Sequence, residues 1–182
     1  MRVLSVLSVC AVVLSLASLA QADERTFNLT GDNTKISFLG TKPGGKHTGG
    51  FKKVSGTASA DTKDLTTLKI NLEIDMESLY TDTPKLTGHL KSTDFFDVKN
   101  NSNSKFVSTQ VAKNGANYTV TGKLTLNGKT KELSFPANIE VQGANLNLSS
   151  EFKINRNDWG ISYGKGKIHD DVSLTVSVNA GK

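Results

Sequence analysis

Leu68-Lys69-Ile70-Asn71-Leu72-Glu73-Ile74-Asp75-Met76 decides the fold class. Apolar residues fall at every second position, and charged or amide residues fill the gaps. Successive side chains of a strand point to opposite faces, so this stretch is an extended strand with one buried face and one wet face. The same period runs on toward the C-terminus. Tyr118, Val120, Leu124 and Leu126 alternate with polar residues, as do Leu133, Phe135, Ala137, Ile139 and Val141. Leu146, Leu148, Phe152 and Ile154 follow, then Val172, Leu174, Val176, Val178 and Ala180. Weaker strands read at 26–29, 35–41, 50–60 and 105–112. Asn114-Gly115 and Asn127-Gly128 are strong signals for tight antiparallel hairpins, and Gln142-Gly143 supplies another turn.

About eight to nine strands joined by tight turns predict an antiparallel meander that hides its single apolar face by curling closed. An all-β barrel of about eight strands has an interior that side chains just fill or that holds one ligand. Only 8 Phe, 3 Tyr and 1 Trp are present in 182 residues. That scarcity predicts an incompletely filled interior, an apolar tunnel rather than a solid core. A two-sheet sandwich with a packed core is the alternative.

One segment breaks the period. Thr83 suits a helix N-cap and Pro84 a first helical position. Leu86 and Leu90 stand four apart and share a face. A short helix is therefore expected over Pro84–Lys91, with Phe95 and Phe96 packing it onto a barrel end, as a gate or as a fixed plug.

The N-terminus reads as an address. Arg2 precedes the apolar run Val3–Leu19, and Ala20-Gln21-Ala22 fits a small-x-small cleavage pattern. Residues 1–22 are expected to be an export signal, and 23–182 a single mature domain. Cleavage removes Cys10, the only cysteine, so disulfides and thiol chemistry are not expected. It also lowers the formal charge from +5 to +4, because Arg2 leaves. Lysines are dispersed, as on a solvated outer face, apart from the denser group Lys42, Lys46, Lys52 and Lys53, which would suit an anionic head group or a transient contact with a membrane surface. Aromatic residues do not interleave with them, so nucleic acid is not an expected partner.

Few residues carry chemistry. His47, His89 and His169 lie at no metal-ligand spacing, and no nucleophile–base pair is recognisable. His169-Asp170-Asp171 reads as a polar turn before the last strand. By parity from Ile154, Arg156 points inward, where a guanidinium needs a partner. Asp158, Asp170, backbone carbonyls or an anionic ligand head would each serve.

Several runs resemble the YceI-like family of exported lipid-binding barrels. They are Ile36-Ser37-Phe38, Gly50-Phe51 with Gly56, and Ser78 through Asp97, with His89-Leu90 and Asp94-Phe95-Phe96-Asp97 inside it. Lys105-Phe106-Val107-Ser108, Tyr118 through Leu126, Asn155-Arg156 with Trp159-Gly160-Ile161, and Ile168 with Asp170 and Val172 complete the likeness. The resemblance implies a lipocalin-like eight-stranded barrel with an elongated apolar cavity, in a periplasmic or secreted protein that often pairs as a homodimer. It implies a non-enzymatic carrier or store of a long-chain amphiphile: a polyisoprenoid, an isoprenoid quinone or a fatty-acid derivative. Departures near Asn33-Thr34, Ser102-Asn103-Ser104 and 162–167 bear on the head group. An enzyme acting on a barrel-bound lipid and a structural or adhesive surface module are the competing readings. The candidate ligand-contacting residues are Phe38, Phe51, Ile74, Leu86, His89, Leu90, Phe95, Phe96, Phe106, Leu124, Phe135, Phe152, Arg156 and Trp159. No catalytic residue, metal ligand or cofactor is expected.

Overall fold

The alternating stretch forms a strand over Asp64–Asp75 in which Leu68, Ile70, Leu72 and Ile74 are buried while Lys69, Asn71 and Glu73 face water. It belongs to a single antiparallel sheet of eleven strands in the computed structural model, which describes residues 23–181. The strands are β1 (Glu24–Thr30), β2 (Thr34–Lys42), β3 (Gly45–Phe51), β4 (Val54–Asp61), β5 (Asp64–Asp75), β6 (Leu79–Thr81), β7 (Asn103–Asn114), β8 (Asn117–Leu126), β9 (Lys129–Gln142), β10 (Asn145–Asn155) and β11 (Asp171–Gly181). Among the described residues one α-helix, α1 (Pro84–Lys91), lies between β6 and β7. The expected export signal over 1–22 lies outside the described residues.

From β7 to β11 the sheet is a meander, as the turn chemistry requires. The β8–β9 turn places Asn127 at φ 49° and Gly128 at φ 70°. Two left-handed residues in a row give the turn whose twist matches the strands it joins. Gly115 and Gly143, at φ 61° and 59°, serve the β7–β8 and β9–β10 turns.

Eleven strands replace the expected eight because the N-terminal strands are bent. The chain between β1 and β2 turns at Gly31–Asn33, β3 and β4 part at Lys52–Lys53, and β5 and β6 part at a 3₁₀ turn over Met76–Ser78. These breaks lie side by side. The Lys52 amide donates to the Ser78 carbonyl at 3.3 Å, and the Asp75 amide donates to the Lys53 carbonyl at 3.1 Å. A Cβ on Gly31 would collide with the Lys52 carbonyl. The three bends thus form one crease across the sheet. They let it curl, pairing β1 with β4 on one side of the crease and β2 with β3 and β11 on the other.

The interior is apolar throughout but not uniformly packed. At the end bearing the β9–β10 turn, Val120, Ala137, Ile139, Leu146, Leu148, Val178 and Ala180 fill the space with Phe27, Leu29 and Leu68. This half is a solid core, where a tunnel was expected. Small alanines, branched aliphatics and the single ring of Phe27 fill this narrow cross-section.

Candidate functional site

The other half of the interior is a cavity of about 360 Å³. It opens where β8 and β10 end and β7 and β11 begin. Ile36, Phe38, Phe51, Ile74, Leu124, Ile154, Val172 and Leu174 form its walls. α1 lies across the opening with Leu86, His89 and Leu90 turned toward it, followed by Phe95 and Phe96. The helix starts as expected: the Thr83 hydroxyl accepts from the Leu86 amide at 3.3 Å, and Pro84 occupies the first turn. None of its residues is fully buried, so the helix roofs the opening rather than filling it.

Ten of the fourteen predicted residues meet at this cavity: Phe38, Phe51, Ile74, Leu86, His89, Leu90, Phe95, Phe96, Leu124 and Arg156. The other four do not line it. Phe106, Phe135 and Phe152 stack on one another beneath it, with ring centroids 5.6 Å apart for Phe106–Phe135 and 4.5 Å for Phe135–Phe152. Trp159, 2% exposed, is a buried strut whose indole N–H donates to the Leu124 carbonyl at 3.1 Å. Parity correctly turned these rings inward, but it does not say at what height along the barrel a ring sits. The cavity is therefore blind-ended and does not run the length of the barrel.

The rim is polar. His89 is 2.9 Å from Asp94 through Nε2 and packs edge-on against Phe95 and Tyr163, at 5.0 and 4.8 Å. His47 lies 3.1 Å from Asp82 through Nδ1. Thr41, Lys42, His47 and Tyr163 all reach the cavity, and sequence reasoning assigned none of them to it. Parity from Phe51 reaches His47, and parity from Phe38 reaches Lys42. Tyr163 sits in an aperiodic loop and gave no such signal. No carboxylate lines the cavity among the described residues, and none of their His, Cys, Asp and Glu side chains cluster as a metal site.

Arg156 belongs to the wall but is spent on structure. It is 5% exposed. Its Nη1 donates to the carbonyls of Ile161 and Tyr163 at 2.8 and 2.7 Å. Its Nη2 donates to the Ile168 carbonyl at 3.4 Å and the Asp170 carboxylate at 3.0 Å, and its Nε to the His169 carbonyl at 3.2 Å. A guanidinium has five N–H groups, and all five have partners. Arg156 thus lines the cavity with every N–H group already engaged by the protein, and it clamps the 161–170 loop into the cavity wall. His169 fastens the same loop to β2, its Nδ1 lying 2.7 Å from the Thr41 hydroxyl.

The basic residues also sort differently from their sequence grouping. Lys42 and Lys46 flank the β2–β3 turn at the opening, whereas Lys52 and Lys53 sit at the crease. Six residues of strand, roughly 20 Å, separate Lys46 from Lys52.

Residues 27–180 match the model of the YceI-like domain. A UPF0312 protein of Serratia proteamaculans is 37% identical over 136 residues, 71% of each chain. The YceI protein of Salmonella arizonae is 33% identical over the same share. Among solved structures, BcnA of Burkholderia cenocepacia superposes with a TM-score of 0.75 at 25% identity, covering 81% of this chain and 96% of that one. A polyisoprenoid-binding domain of Saccharophagus degradans shares the fold, with a TM-score of 0.69 at 15% identity over 86% and 97% of the two chains.

Proposed function

We propose that this chain, which belongs to the YceI-like family, is a non-enzymatic carrier that holds the tail of a single-chain amphiphile in the blind cavity and its head at the polar rim. The observation that carries this reading is the cavity itself: about 360 Å³ of preformed space with apolar walls and polar groups only at one end. Each methylene moved there from water is worth about 0.8 kcal/mol. About ten of them outweigh the cost of fixing one flexible chain. Polyisoprenoids, isoprenoid quinones and fatty-acid derivatives all present such a tail.

The same reading takes the sheet as a lipocalin-like barrel. Counting β1–β2, β3–β4 and β5–β6 each as one bent path leaves eight paths, and the observed pairings then run in a circuit. It places the mature chain in the periplasm or outside the cell, after cleavage behind Ala22, and allows it to pair as a homodimer. Lys42 and Lys46 beside the opening, with Lys165 and Lys167 on the clamped loop, suit transfer at an anionic membrane surface.

Native mass spectrometry of protein purified without detergent tests the reading. A mass excess that organic extraction removes and identifies as an amphiphile is the expected result. Protein that stays ligand-free after incubation with membrane extracts overturns it.

A further inference from the structure

We propose that the Phe106–Phe135–Phe152 stack is a chain-length stop, fitting the cavity to a tail of about fourteen carbons. The inference rests on the amphiphile reading above and adds the size of the ligand. On β7 and β10, which carry Phe106 and Phe152, the lining ends one inward residue above the stack. Ser104 lines the cavity and Phe106, two residues on, does not. Ile154 lines it and Phe152 does not, although Leu174, the cross-strand partner of Phe152, does. On β5 the lining stops at Ile74, and Leu72, which pairs with Phe106, lies below.

The floor is built to stay closed. The Phe135 and Phe152 rings lie face to face, 11° from parallel. The Phe106 ring lies over Gly122, diagonal to its register partner Leu124 on β8, and a Cβ on Gly122 would run into that ring. Beneath the stack the interior is filled, so a tail has nowhere further to go.

Volume converts this floor into a length. An apolar cavity of about 150 Å³ binds one benzene, which has six carbons. On that scale about 360 Å³ takes about fourteen carbons. The head supplies the other fixed point. His47, His89 and Arg156 face carboxylates, but Lys42, also at the rim, has no such partner among the described residues. A carboxylate held near Lys42 starts the count at the opening.

The test is displacement of the neutral fluorophore N-phenyl-1-naphthylamine by n-alkanoates of every length from octanoate to docosanoate. Wild-type affinity should climb about fourfold per methylene, then stop climbing near fourteen carbons. Phe152→Ala removes a benzene-sized group whose space partly collapses, and should move the maximum outward by about two to four carbons. Phe152→Leu is a gentler change that should move it less, in the same direction. Ile154→Phe narrows the cavity just above the floor and should move it inward. A climb continuing to docosanoate in the wild type, or an unmoved maximum in folded Phe152→Leu and Ile154→Phe, overturns the chain-length stop while leaving amphiphile binding intact. Failure of every chain length to displace the fluorophore overturns the carrier reading, and the stop with it.

Discussion

Arg156 shows what one residue's sequence position reveals and what it hides. Counting by twos from Ile154 put its side chain inside, and it is inside. Its partners were legible only as alternatives, because four of the five are backbone carbonyls of an aperiodic loop. Asp170 alone, named in advance as one option, receives an ion pair. Arg156→Ala should cost about 2–4 kcal/mol, since it leaves these acceptors unpaired in a tight wall. The Asp170 side chain is 44% exposed, so screening places the ionic share at the low end. Arg156→Lys should recover little, because one ammonium cannot span five acceptors in a plane. Urea unfolding should show a lower midpoint at an unchanged slope. Equal stability of all three proteins contradicts the clamp.

At the scale of elements, the hairpins and the helix were legible because each has a local chemical cause. Asn127-Gly128 tolerates two left-handed residues, and Thr83-Pro84 caps and starts α1. The crease was not legible. It arises where three sequence-distant breaks meet, and no single one announces the others. How β1 is fastened at its start is likewise a tertiary matter. The Asp23 carboxylate accepts from Arg25 and from the Thr62 hydroxyl, each at 3.1 Å, tying β1 to the β4–β5 turn. The Arg25 hydrogen bond first, and that from Thr62 second, hold the Asp23 carboxyl below its ordinary range. A depressed folded-state value contributes stability above the unfolded pKa and loses it as pH falls through the folded one. Asp23→Ala should therefore lower the melting temperature slightly at neutral pH, and the gap to wild type should close on acidification below the carboxylate range. A gap that widens in acid contradicts this.

For the whole molecule, alternation established an all-β sheet with one apolar interior, but not how that interior is shared between core and cavity. Leu146 and Leu174 alternate alike, yet one is packed in the core and the other lines the cavity. The difference is height along the barrel, set by where the aromatic rings meet. The scarcity of aromatics pointed to empty space, and three of the rings that do exist confine that space to one half. Lys42, which faces no carboxylate among the described residues while His47, His89 and Arg156 each do, marks where a head would rest, and the floor marks where a tail would end. The most direct test is a crystal structure with 14-bromotetradecanoate, read by the anomalous signal of bromine. The account predicts a bromine peak deep in the cavity, against Phe106 and Phe152, with the carboxylate near Lys42. A saturated crystal with no bromine inside the cavity, or with bromine at the opening beside α1, would contradict it.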